Sequence, residues 1–327
     1  MEQVIIVGAG PCGLSAAVEL QKRGITPLII EKHAVVHSIY LYPTYMQFFS
    51  TPELLEIGGV PFTTPHEKPT RQEALAYYRK VANHYGLRIL PYREVTAISK
   101  EAGVFTLQTV DRAGEQTAFS AEHVVVSTGY FDHPNMLGIP GEELPKVTHY
   151  FREAHPYTET EVAIIGGSNS AVDAALELLR AGARVTMVYR GETYSPGIKP
   201  WVRPIFESMV NKGLIRLMFK SRVERIDERT IVVNEDGELH TIANDFVLAL
   251  TGFRPDRKLL AGAGVAFRGE HELPQFDPQT METNVPGLYI AGVIATGKDA
   301  NEVFIETGRL HGVAIAEHFG GSAENVR

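Results

Sequence analysis

The sequence predicts an α/β chain of two doubly wound, three-layer units, the second inserted into the first. Two observations predict it: a glycine turn between an apolar strand and a helical repeat occurs twice, and each copy ends on a strand closed by Thr-Gly. A parallel sheet needs a crossover between neighbouring strands, and strand, turn and helix in that order supply one.

Bulk composition narrows the class. The 327 residues, 44% hydrophobic and 21% charged, can bury a core in each of two domains. A formal charge of -8, with no Lys/Arg-rich block, argues against a nucleic-acid partner. Met1-Glu2-Gln3 leads directly into the apolar Val4 to Val7, with no basic leader and no long apolar stretch downstream, so neither secretion nor a membrane span is expected. The lone cysteine, Cys12, rules out an intrachain disulfide, a C-x-x-C pair and a cysteine-based zinc site, and suits a cytoplasmic location.

In the first copy, Val4 to Val7 precedes Gly8-Ala9-Gly10-Pro11-Cys12-Gly13, a helical pattern stopping at Gly24, and a strand, Leu28 to Ile30, ending on Glu31. This is the order of a Rossmann-like dinucleotide-binding fingerprint. Gly8 permits the tight turn, Gly10 lets a pyrophosphate approach the backbone, Gly13 lets helix pack on strand, and Glu31 can accept ribose hydroxyls. A capping box, Thr70-Arg71-Gln72-Glu73, then opens a helix through Tyr85, whose Tyr77 and Tyr78 are read as packing residues. A hairpin through Asp111 to Gly114 leads to the strand Val124 to Val126 and Ser127-Thr128-Gly129. This copy is the longer one; its excess, between His33 and Pro69, is rich in Tyr, Phe and Pro and is read as loops covering the bound dinucleotide and a substrate.

The second copy runs from Val162 to Ile165 through Gly166-Gly167-Ser168-Asn169-Ser170-Ala171, a helix stopping at Gly182, and the strand Val185 to Tyr189. Ser168 and Ala171 replace the second and third glycines, and Arg190 replaces the acid. A guanidinium suits bidentate contact with a 2'-phosphate, so NADPH is expected here, with Lys199 and Arg203 as weaker candidates for the same phosphate. A hairpin through Asp236-Gly237 leads to the strand ending Thr251-Gly252. The chain then reaches Tyr289-Ile290-Ala291-Gly292-Val293 and a segment from Asn301 through Phe304 to Gly312. The expected domains are residues 1-145 and 256-327 for one dinucleotide and 146-255 for the other.

These residues resemble the flavoprotein reductases of the thioredoxin-reductase type and, within that group, the YpdA-type bacillithiol-disulfide reductases. The likeness rests on Gly8 to Gly13, Ser127 to Asn135, Gly166 to Ala171 and Asn301 to Gly312, and spans essentially the whole chain. It implies FAD at Gly8, Gly10, Pro11, Gly13, Glu31, Gly129, Gly292, Val293 and Phe304, and NADPH at Gly166, Gly167, Ser168, Asn169, Ser170 and Arg190. It also implies a small-molecule disulfide as substrate, and a homo-oligomer is expected. Many relatives have an aspartate where Val293 stands, and valine has no side-chain acceptor.

One cysteine cannot form a dithiol relay. Two readings of Cys12 stay open. As a catalytic nucleophile, its thiolate would be favoured by the helix terminus and would attack the disulfide; as a packing residue, it is a small buried hydrophobe beside the pyrophosphate. His149, His155 and His311 are candidate proton donors, and Lys298 and Arg309 candidate contacts for an anionic substrate. The rival functions are a flavin monooxygenase, a ferredoxin reductase and a nucleotide-binding redox sensor.

Overall fold

The structure, a computed structural model, describes residues 1–298, 300 and 302–324, with side chains through Gly320; Asn301 lies outside the described residues. Strand β1 (Glu2–Val7) feeds helix α1 (Pro11–Lys22), and Gly24, at φ 81°, turns the chain into β2 (Leu28–Ile30). Short helices α2 (His37–Leu41) and α3 (Pro52–Leu55) interrupt the long loop before α4 (Arg71–His84). The capping box forms as the sequence predicts: Glu73 N–H donates to Thr70 Oγ1 (3.3 Å) and Thr70 N–H to Glu73 Oε2 (2.8 Å). Tyr77 and Tyr78 pack and also tie down the long loop, their hydroxyls donating to Val60 O (2.8 Å) and Leu55 O (2.9 Å).

Strands β3 (Arg88–Leu90), β4 (Arg93–Glu101), β5 (Val104–Asp111) and β6 (Gln116–Val126) complete this part. Next come β7 (Val147–Thr148), β8 (Glu161–Ile165), α5 (Asn169–Arg180), β9 (Arg184–Val188), α6 (Arg203–Asn211) and β10 (Ile215–Met218). The antiparallel β11 (Ser221–Ile226), β12 (Thr230–Glu235) and β13 (Glu238–Ala243) precede β14 (Phe246–Ala249). Asp236 (φ 50°) and Gly237 (φ 98°) make the two-residue turn that a twisted hairpin requires. The chain ends with α7 (Lys258–Gly262), β15 (Phe267–Arg268), β16 (Leu273–Pro274), β17 (Leu288–Ile290), α8 (Ile305–Gly308) and α9 (His311–Glu324).

The chain divides into two compact units: Met1–Tyr40 with Met46–His133 and Phe253–Arg327, and Leu41–Tyr45 with Pro134–Gly252. The first crossing falls before the expected boundary at 145 because Leu137, Ile139, Leu144 and Val147 pack into the second unit's core beside Ile226 and Val247. Ile226 N–H donates to Pro140 O (2.8 Å) and fastens that segment.

In the first unit, β3-β2-β1-β6 is parallel, and β17 pairs with the other side of β6 through Leu288↔Val124. The start of β6 pairs antiparallel with β5, so one long strand belongs to both the parallel sheet and the β4-β5-β6 meander. The second unit repeats the plan with a parallel sheet, β10-β9-β8-β14-β7, and a separate meander, β11-β12-β13. Both central strands bury their apolar residues in the cores, with Val4 to Ile6 at 0% exposure in one and Ile164 at 0% in the other. The carboxyl ends of these parallel strands are where an open α/β sheet binds ligands. Among the described residues, no helix is long and apolar enough to cross a membrane.

Candidate functional site: two glycine cradles

In the first cradle, Gly8 takes φ 106° at the end of β1, and a Cβ there would lie 2.6 Å from Ser127 O. Only glycine satisfies both the conformation and the approach of β6. A Cβ on Gly13 would lie 2.1 Å from Gly8 O, so the third glycine is what lets α1 begin this close to the turn. Gly10, the N-cap of α1, faces open space: a Cβ there meets nothing within 4 Å. Pro11 sits in the first helical turn, where it loses no hydrogen bond, and no side chain caps the helix. Unpaired amides at a helix start with room in front of them fit a pyrophosphate.

Glu31 is more committed than its place in the sequence indicates. Its carboxylate accepts from Ala9 N–H (2.6 Å) and His33 N–H (2.8 Å), bracing the glycine turn, and the residue is only 8% exposed. Burial holds its carboxyl above the usual carboxylate range, against the pull of those two amides. Each oxygen keeps a lone pair for a ribose hydroxyl. Gly129, at φ 73°, has open space around it just beyond β6.

Cys12 is the second residue of α1. Burial pushes its thiol up to about 12, so the predicted lowering at a helix terminus is overturned and the thiolate is disfavoured at neutral pH. The residue is half-buried as a whole, but Sγ is enclosed: Cβ atoms on Gly292 or Gly308 would each lie 2.9 Å from it. The sulfur fills the space between α1, the turn after β17 and α8.

That turn closes the cradle. Gly292 (φ 82°) follows β17, and residues Val293–Ala295 form a single 3-10 turn. Gly292 N–H donates to His311 Nδ1 (3.1 Å), and burial keeps the imidazole neutral by lowering its pKa. His311 therefore holds backbone rather than standing ready as a proton donor. Phe304, 52% exposed, is the N-cap of α8.

The remaining candidates of this unit are engaged. Lys298 pairs with Glu272 (3.0 Å), and Arg309 donates to Glu56 O and Glu306 O. Sequence reasoning missed Ser127, whose hydroxyl lies 3.0 Å from the carbonyls of Val7 and Gly8, and Arg257, which grips the turn at Ile294 O (2.7 Å) and Thr296 O. Ser127 stands one residue beyond a strand that was recognised; nothing in the local pattern marks Arg257.

The second cradle is built alike. Gly166 takes φ 142°, with a Cβ falling 2.4 Å from Leu250 O. Ser168 is the N-cap of α5, extended like Gly10, with no capping bond from its own hydroxyl. Gly167 is needed for a different reason: Tyr189's ring lies over it, and a Cβ there would be 2.4 Å from the ring. Asn169 is occupied within the protein, donating to Gly197 O (2.8 Å) and accepting from Lys199 N–H (2.9 Å), which folds the 197–199 loop against the helix start. Ser170 and Arg190 are exposed, the latter just beyond β9. His149 faces the buried Glu142 at 3.4 Å, and His155 is exposed in a 3-10 turn.

The chain belongs to the pyridine nucleotide-disulphide oxidoreductase family, whose model matches residues 5–292. It is thus a flavoprotein oxidoreductase, and membership implies a flavin and a pyridine nucleotide. It is 50% identical over 317 residues to the bacilliredoxin reductase Bdr of Bacillus subtilis (strain 168), covering 96% of each chain. Among solved structures it matches bacillithiol disulfide reductase Bdr (YpdA) from Bacillus cereus with TM-score 0.96 and 50% identity, covering 98% of this chain and 99% of that one. The Staphylococcus aureus Bdr (YpdA) gives TM-score 0.93 and 46% identity, covering 98% of both.

Proposed function

We propose that this chain is an FAD-dependent, NADPH-oxidising reductase of a low-molecular-weight disulfide, bacillithiol disulfide, or of the disulfide of bacilliredoxin, working in the cytoplasm as a homo-oligomer. The supporting observation is the pair of cradles in one chain, one closed by an acid and the other ending on an arginine, in a sequence half identical to bacilliredoxin reductase Bdr over nearly its full length.

The first cradle fits FAD: open space at Gly10, uncapped amides at the start of α1, and Glu31 beside the ribose position. Pro11, Gly129, Gly292, the backbone of Val293 and Phe304 complete that site. The second fits NADPH, with Gly166, Gly167, Ser168, Asn169 and Ser170 shaping the pyrophosphate end and Arg190 taking the 2'-phosphate. When bound, the two cofactors themselves supply hydride transfer and electron storage. The protein's part is to bind and orient them and keep water out. Overall, NADPH, one proton and one disulfide give NADP+ and two thiols. Cys12 is a spacer in this reading, because a buried thiol with so high a pKa is a poor nucleophile at neutral pH.

Purified protein should be yellow and should consume NADPH with bacillithiol disulfide or bacilliredoxin disulfide, and not with ferredoxin. Light scattering reads the oligomer. Turnover only with ferredoxin, or oxygen-dependent product formation from an organic substrate, would replace this reading by one of its rivals.

A further inference from the structure

Val293 leaves the closing turn of the first cradle without the acid that would fix a bound group through a side chain. The turn is built so that backbone can do that work. Gly292 N–H is tied to His311, and Gly292 lies against Cys12, which anchors the near end to α1. A 3-10 turn starting there leaves the amides of Val293 and Ile294 without intrahelical acceptors. The carbonyls at its far end are left over in the same way, and a planar cation satisfies them.

We propose that Arg257 is a positioning residue for the flavin site, a role that rests on FAD occupying the first cradle. It immediately precedes α7, at the N-cap. Its guanidinium donates to Ile294 O (2.7 Å) and to Thr296 O, two carbonyls that bracket the end of the turn. The Thr296 hydroxyl closes the same turn by donating to Val293 O (2.8 Å). The planar fork reaches two acceptors at once, which an ammonium on a flexible stem cannot do in fixed geometry. The ring of Phe267 lies 5.8 Å from the guanidinium and completes its setting. Beyond the turn, Lys298 N–H donates to His271 O (2.8 Å), so the segment that follows is braced separately. Arg257 thus sets the aim of the Val293 and Ile294 amides without itself reaching the reacting atoms.

The test compares Arg257→Met and Arg257→Lys with wild type, as holoenzyme and after FAD removal. Apoprotein titration with FAD should show affinity reduced about tenfold in R257M and less in R257K, the loss expected when charge-assisted hydrogen bonds go. The visible spectrum of bound flavin should shift, kcat should fall, and KM for NADPH should stay as in wild type, since the second cradle is untouched. Wild-type affinity and spectrum in R257M overturn the proposal, even if its apoprotein unfolds at lower temperature. Should R257M fail to fold, R257K decides alone, and unchanged affinity with an unchanged spectrum there also overturns it. A wild-type protein that cannot take up FAD would instead bring down the functional reading beneath.

Discussion

The two cradles share one backbone plan but tolerate different sequences, and the difference lies in how closely each helix approaches its strand. In the first, a methyl at Gly13 would meet Gly8 O at 2.1 Å; in the second, the equivalent Ala171 carries that methyl and packs it into the core, at 1% exposure. The first also encloses its second helical residue, Cys12, whereas Ser170 in the second is exposed. An ordinary fingerprint therefore does not imply interchangeable sites. The first is closed over by α8 and the turn after β17, while the second presents polar residues to solvent.

The comparison can be broken most directly at the third glycine. Gly13→Ala should cost about 3 kcal/mol and abolish flavin retention, because the clash is with backbone. Ala171→Gly should cost only about 1 kcal/mol. Denaturant unfolding together with flavin absorbance measures both, and equal costs would mean that the two cradles do not differ as described.

The contrast between Glu31 and Arg190 is next. Arg190→Ala should lower kcat/KM for NADPH by about ten- to a hundredfold while leaving NADH unchanged, the loss of a charge-assisted phosphate contact. A parallel loss with NADH would remove Arg190 from 2'-phosphate recognition.

A smaller effect is expected at Asp173, in the second turn of α5, where burial and then Glu177 raise the carboxyl from 3.8 to about 6. A raised folded pKa stabilises below the unfolded value and the gain is lost as pH rises through the folded one, so stability should fall between pH 3.8 and about 6. Asp173→Asn should flatten that slope and add about 1 kcal/mol at neutral pH, allowing for solvent screening. A slope unchanged in the variant would rule Asp173 out as its source.

The smallest change is expected at Cys12. Cys12→Ala should keep turnover per bound flavin within about twofold and cost about 1 kcal/mol for the lost packing. Retained flavin with abolished turnover would restore the nucleophile.

Much of this was legible along the chain because it is local. Gly8 and Gly166 mark positive φ, the Thr70 to Glu73 box marks a helix start, and Asp236-Gly237 marks a hairpin; each depends on neighbours a few residues away. What Cys12 would be was not legible: its surroundings, Gly292 and Gly308, arrive from the far end of the chain, and they set its pKa against the local effect of the helix terminus. The membership of Leu137, Ile139, Leu144 and Val147 in the second core is not local either, since it depends on Ile226 and Val247.

By itself, then, the sequence determined the duplicated strand-turn-helix plan, the glycines it cannot do without, and the acid and arginine that distinguish its two ends, all consequences of short-range sterics and hydrophobic periodicity. Tertiary structure alone decided which polar groups remain available: Glu31 braces a turn, Asn169 holds a loop, His311 holds Gly292, and Arg257 holds the segment after it. Hydrogen-bond partners and burial come from residues distant in the chain, and they settle a side chain's protonation and reach after the local pattern has settled its place.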